Sequence, residues 1–210
     1  MTVSLVDDYK AGFVAAMGDP LGEQFHALWL DVTWLTIKWS QFVEIFGTAA
    51  ERISLLNKAA PSFFLMVENA FWQDTLLHLT RLTDAPQSVG KDNLTIANLP
   101  DLIACAETSK AVRELVNIAK KSTEFCRDWR NRHIAHQDLK LALGDDAIPL
   151  AEGSRDHVTK ALDAIYEVLY EVRRAYLGSS PPFQAGHTIG GATALLRVLE
   201  GGVSGKASKE

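Results

Sequence analysis

Across residues 21–46, apolar side chains recur at Phe25, Leu28, Val32, Leu35, Trp39, Phe42 and Phe46, in steps alternating three and four. That spacing draws one stripe down a helix of about seven turns. Trp29, Trp34 and Ile37 widen the stripe, which predicts burial against more than one neighbour. Gly47 is the expected stop. A short helical piece over 51–58 follows, and Pro61 suits the first turn of the next helix. That helix, over 62–83, carries Phe64, Val67 and Phe71 on one line and Leu65, Trp72, Leu76 and Leu79 on another. Apolar over most of its girth, it is expected to be central.

Residues 84–93, beginning Asp84-Ala85-Pro86, read as a loop, and a short helix is expected over 98–105. A third long helix is predicted over 109–133, with Val112, Leu115, Ala119, Ser122, Cys126 and Trp129 on its stripe and His133 in register. Residues 143–153 read as a connector. Ser154 is placed to cap a fourth long helix whose stripe is Val158, Leu162, Ile165, Leu169, Val172 and Tyr176, ending at Gly178. Ser179-Ser180-Pro181-Pro182 breaks the chain. A last short helix is expected over 188–200, and 201–210 reads as a disordered tail. No window alternates with period two for long enough to need a sheet. The fold class is therefore all-α, a four-helix bundle over 21–178 with short additional helices. An N-terminal segment (1–20) precedes it, and a loop and short helix (179–200) follow it.

Composition narrows the function classes. The chain has 210 residues, enough for one domain with a sizeable core. No apolar run is long enough to span a membrane. Cys105 and Cys126 are too few and too far apart for a disulfide framework or a zinc site, and both are expected to be buried free thiols. Together with the absence of a leader, this favours the cytoplasm. The net charge of −5 argues against a general basic coat for nucleic acid. The charge is unevenly spread: residues 110–140 hold eight Lys or Arg against four acids, a net +4, which leaves −9 for the rest. Such a patch fits a small anionic target or a solvated helix face.

The chemistry concentrates in Arg130-Asn131-Arg132-His133-Ile134-Ala135-His136. A guanidinium grips phosphate by a two-pronged, charge-assisted hydrogen bond. An imidazole titrates near neutral pH and can move a proton on or off a ribose hydroxyl. On an unbroken α-helix, however, Arg130 and His136 stand about 120° apart around the axis. A site using both needs a helix break or a second copy of the protein, so a homodimer is expected. His133 and His136, three apart, could share an ion on a helix, but no acidic partner accompanies them and no metal site is assigned. The reading that competes for His133 is a ring packed under the bundle end. Asp74, His78 and Arg81 share one line on the second long helix, either as an ion-pair ladder or as a polar lining with Asp74 orienting His78. No P-loop, dinucleotide fingerprint, nucleophile elbow or zinc-protease motif is present, and no cofactor is expected.

Arg130-Asn131 followed by His136 resembles the arginine, polar residue and histidine signature of HEPN (higher eukaryote and prokaryote nucleotide-binding) domains. The wider string from Trp129 to Asp138 looks like the version in their abortive-infection U-type (AbiU-like) branch, as does Leu79-Thr80-Arg81-Leu82-Thr83-Asp84. The resemblance implies an up-and-down four-helix bundle that dimerises with two signature segments facing each other. In active members that cleft is a metal-independent RNA endonuclease. Arg130 would then hold the scissile phosphate and His136 would act as general acid or base. Asn131 would position one of them, with Arg132 and His133 in supporting roles. RNA products would carry a 2′,3′-cyclic phosphate. The branch is associated with phage defence and toxin–antitoxin pairs, and a nucleotidyltransferase-like antitoxin is one expected kind of partner. The alternative is a non-catalytic HEPN scaffold that binds a nucleotide or a protein.

Overall fold

A computed structural model describes residues 2–47, 49–178 and 190–207. Among these, ten α-helices carry the chain, and the sheet content is one two-residue antiparallel ladder, Gln87–Ser88 with Lys91–Asp92. The all-α class expected from periodicity is what the chain adopts. Helix α1 spans Thr2–Met17, α2 Leu21–Phe46, α3 Ala50–Ala59 and α4 Pro61–Thr83. Then come α5 (Leu99–Leu102), α6 (Ala106–Ser122), α7 (Glu124–Trp129), α8 (Leu139–Leu143), α9 (Arg155–Leu177) and α10 (Ala192–Ala207). No helix among the described residues is long and apolar enough to cross a membrane.

The chain forms two compact units, and α2 and α4 each contribute to both. The first unit comprises Met1–Thr33 and Leu76–Phe183. Its core is set by the predicted stripes: Phe25 and Leu28 of α2, Leu76 and Leu79 of α4, and Ile165 and Leu169 of α9 are fully buried. Val112, Val116 and Ala119 form the buried face of α6, which packs against α9. At the start of α9, Ser154 accepts the His157 amide at 3.2 Å, satisfying one of the donors every helix start leaves free. Gly178, at φ 77°, ends it as expected.

The N-terminal segment is helical, because Phe13 and Met17 are apolar at helical spacing and are buried. Helix α1 lies backbone to backbone on the first turn of α2. A Cβ at Gly22 would sit 2.6 Å from Val14 Cα, so glycine is what permits the approach.

The second unit comprises Trp34–Thr75 and Gln184–Glu210. Trp39 stacks on Phe42 at 5.0 Å between ring centroids, and Trp72 packs on both. Lys38 of α2 pairs with Asp74 of α4. Gln41 accepts the Ala192 amide at 2.6 Å, capping the start of α10, and α10 packs on α3.

Several expectations give way. The predicted helix over 109–133 is broken at Thr123, whose φ of −102° and ψ of 6° are not helical. Its hydroxyl lies 3.1 Å from Ala119 O and 3.0 Å from Lys120 O, competing with the amides for those carbonyls. Helix α4 is central only in its C-terminal half; Phe63, Leu65 and Met66 near its start are exposed. Trp34 is 61% exposed and does not widen a buried stripe. Helix α10 runs past the expected end at 200 to Ala207, through the segment predicted as tail; 208–210 lie outside the described residues. Cys126 is buried as expected, but Cys105 is exposed at the start of α6.

Candidate functional site

The site is built where the C-terminal end of α4 meets the junction of α6 and α7. Every helix ends with carbonyls that lack partners. Here Arg127 of α7 supplies them: its Nη2 donates to Thr83 O at 2.6 Å, and its Nη1 donates to Lys120 O at 3.2 Å. The same guanidinium donates to the Thr83 and Thr123 hydroxyls, which lie 2.9 Å from each other in the interior. Buried Thr95 completes the knot from the following loop, its Oγ1 being 2.9 Å from both Leu82 O and Asp84 O. One arginine and three threonines thus fix the position of Asp84 relative to α7.

Directly after α7, the chain widens into a π-turn over Arg130–Ile134, with the Ala135 amide donating to Arg130 O at 2.8 Å. One extra residue per turn shifts the register away from an α-helix, and such turns recur at functional positions. The Asp138 amide reaches Arg132 O at 2.9 Å, and Asp138 caps α8 by accepting the Leu141 amide. A helix break, one of the two arrangements that would allow a joint Arg130 and His136 site, is therefore present.

Arg130 points back to α4. Its Nη1 donates to both Asp84 oxygens, at 2.9 and 3.1 Å, and its Nε donates to Asn131 Oδ1 at 3.0 Å. Both Arg130 and Asp84 keep 29% of their side-chain surface open to water. The pair is held but reachable, and Nη2 faces no acceptor among the described residues. Asn131 and His136 are exposed. Among the described residues His136 has no hydrogen-bonding partner, and no hydrogen bond or ion pair joins it to Arg130. The geometry brings Arg130 and Asn131 together and leaves His136 presented to solvent.

The two residues expected in supporting roles make contacts of their own. Arg132 donates to Ile148 O at 2.5 Å and Pro149 O at 3.3 Å, and it sits beside Asp128. Asp128 accepts the Ala151 amide at 2.7 Å, and Trp129 Nε1 donates to Ala151 O at 2.9 Å. Arg132 is thus a tie that holds the 144–153 connector onto α7. His133 meets the Trp129 ring edge-on at 5.7 Å and is exposed rather than packed under the helices.

Asp74, His78 and Arg81 do not form a ladder along α4. His78, nearly fully buried, lies 2.9 Å from Asp31 of α2, and Arg81 approaches the other oxygen of that carboxylate at 3.8 Å. Asp74 pairs instead with Lys38. The basic stretch is also less free than its charge count implies, since Arg113, Arg127, Arg130 and Arg132 all pair with acids of the same chain. Among the described residues, no three His, Cys, Asp or Glu side chains cluster as a metal centre would require.

Residues 18–190 match the AbiU2 family of HEPN domains. The chain belongs to that family. The AbiU2 match takes in α2 through α9, and with them Asp84, Arg127, Arg130 and His136. No curated protein and no solved structure matches the chain. Asp84 and Arg127 are the site residues that sequence reasoning missed. Asp84 closes the Leu79 to Asp84 string that pointed to the family, but its pairing with a residue 46 positions later left no periodic signal.

Proposed function

We propose that this AbiU2-family protein is a metal-independent RNA endonuclease acting as a homodimer in abortive infection, with one signature segment from each copy lining the cleft. The observation that supports this most is the split between Arg130 and His136. The π-turn leaves both side chains accessible and no hydrogen bond within the chain joins them, an arrangement that a second copy can complete. Arg130 Nη2 takes a non-bridging oxygen of the scissile phosphate and steadies the charge that develops there. His136 removes the 2′-hydroxyl proton or protonates the departing 5′-oxygen. Attack by the 2′-oxygen breaks the phosphorus to 5′-oxygen bond and leaves a 2′,3′-cyclic phosphate on one fragment and a 5′-hydroxyl on the other. Asn131 holds the Arg130 Nε, and Asp84 sets the plane of the guanidinium. Binding RNA here is local, as an acidic protein requires, and the cytoplasm is the compartment that supplies it. A nucleotidyltransferase-like antitoxin is the partner class we expect to restrain such an activity.

The test is cleavage of total RNA in EDTA by wild type and by His136→Ala. Wild type should cut and leave cyclic phosphate ends, and the variant should not. One observation favours a second reading, a non-catalytic scaffold: Asp84 already neutralises Arg130 within the chain. In that case wild type and variant are equally inert in the assay.

A further inference from the structure

A second arginine, Arg173, has an unusual environment near the C-terminal end of α9. Arg173 lies over the Trp29 ring with its Cζ 5.4 Å from the ring centroid. Its Nε is shut off from solvent and has no acceptor. No carboxylate, carbonyl or hydroxyl of the described residues accepts from this guanidinium. Arg113, Arg127, Arg130, Arg132 and Arg174 all find acceptors in their own chain. Guanidinium N–H groups shielded from water are normally satisfied; here the buried Nε has no acceptor, and only the terminal nitrogens of the same guanidinium remain for an acceptor from outside.

The cavity is there. A groove of about 410 Å³ is lined by Tyr9, Gly12 and Phe13 of α1, Trp29 of α2, and Arg173 and Leu177 of α9. Ligand pockets commonly measure about 300–1,000 Å³ with apolar walls and few polar groups. This lining carries one charge, and it is positive. Two of its walls are braced by other rings: Phe13 meets Phe25 edge-on at 4.9 Å, and Trp29 stacks on Phe25 at 5.8 Å and leans on Tyr166 at 6.2 Å. Gly12 keeps the α1 side open, since a Cβ there would meet nothing within 4 Å.

We infer that this groove binds a small aromatic molecule carrying one carboxylate or phosphate. The planar ring lies against Tyr9 and Phe13, and the anion accepts from Arg173. Aromatic walls favour ring stacking, and a guanidinium takes two oxygens of one anion in its plane. The site does not depend on the ribonuclease reading, because its lining shares no residue with the Arg130 end.

The test is calorimetric titration of the full chain with 2-naphthoate and with adenosine 5′-monophosphate. At least one should bind with one-to-one stoichiometry below millimolar, and the one that binds identifies the anion. Gly12→Leu fills the groove from a helix position where leucine is the better helix former, so the fold is retained. Arg173→Met removes the acceptor's partner and keeps the stem. Each should weaken binding at least tenfold, while Arg174→Met, on the neighbouring exposed arginine, should not. Failure of both probes to bind wild type at millimolar concentration overturns the proposal, as does unchanged binding by Gly12→Leu.

Discussion

Arg130 and Arg173 belong to the same compact unit and carry the same guanidinium, yet their surroundings are opposite. Arg130 has a carboxylate at 2.9 Å and an amide oxygen at 3.0 Å, and is aimed by them. Arg173 has an aromatic face and an unsatisfied Nε. A carboxylate orients a cation but cancels its charge, so an incoming phosphate must compete with it. A ring orients a cation and leaves its hydrogen bonds unspent. The first arrangement suits a group that must hold one geometry while a bond is made and broken. The second suits a group that waits for a ligand.

The contrast breaks first, and most severely, at the signature. Arg130→Ala should lower RNA cleavage about a hundred- to a thousandfold, the scale on which loss of one charge-stabilising donor operates. Arg130→Lys, a point charge without the planar fork, should recover only part of that loss. Initial-rate measurements on a defined RNA check both. Asp84→Asn comes next, since it removes the charge that restrains Arg130. RNA affinity should rise as the cation is freed, while cleavage falls about tenfold because the guanidinium loses its plane. Stability should fall by about 1–2 kcal/mol, read as a melting temperature a few degrees lower. Tighter RNA binding combined with faster cleavage would instead make Asp84 purely an inhibitor.

Arg132→Ala sharpens the same comparison by separating a tie from the group proposed to act in catalysis. Its loss should loosen the 144–153 connector, cost about 1 kcal/mol and speed proteolysis there, with cleavage changed less than about threefold. A loss as deep as that of Arg130→Ala would move Arg132 into the site.

The smallest effect on RNA cleavage concerns the cysteines, where one residue type again meets two environments. Burial pushes the Cys126 thiol up to about 12, whereas the Thr108 hydroxyl and the backbone amides of Thr108 and Glu107 hold Cys105 below its ordinary range. A maleimide should label Cys105 in the native protein and Cys126 only after unfolding. The folded Cys126 thiol stays protonated where the unfolded one, near 9, ionises. Its contribution to stability is therefore complete below pH 9 and is lost as pH rises toward 12. Above pH 9, wild type should lose stability more steeply than Cys126→Ala, by up to about 1.4 kcal/mol per pH unit. Denaturant melts at pH 8, 9 and 10 check the slope.

Much of the fold was legible because period is a local property. The stripe from Phe25 to Phe46 predicted α2 to the residue, and Ser154 and Gly178 marked both ends of α9. What periodicity missed was decided by pairwise events. Thr123 breaks a helix through its own hydroxyl, and Gly22 lets α1 dock where only an N-terminal segment of unassigned structure was expected. At the site, Arg130, Asn131 and His136 stood out because they are close in sequence. Asp84 and Arg127 did not, because their meaning lies in contacts spanning more than forty residues. Arg132, given only a supporting role from the sequence, bonds to Ile148 O and Pro149 O of a connector whose path the sequence does not encode locally.

The most direct measurement mixes two inactive proteins. Arg130→Ala and His136→Ala are purified separately, shown to be inert, then combined and assayed for RNA cleavage in EDTA. If the cleft joins Arg130 of one copy to His136 of another, mixed dimers hold an intact pair and the mixture regains activity that neither variant has alone. A mixture that forms dimers and stays inert, beside an active wild type, would contradict a site shared between copies.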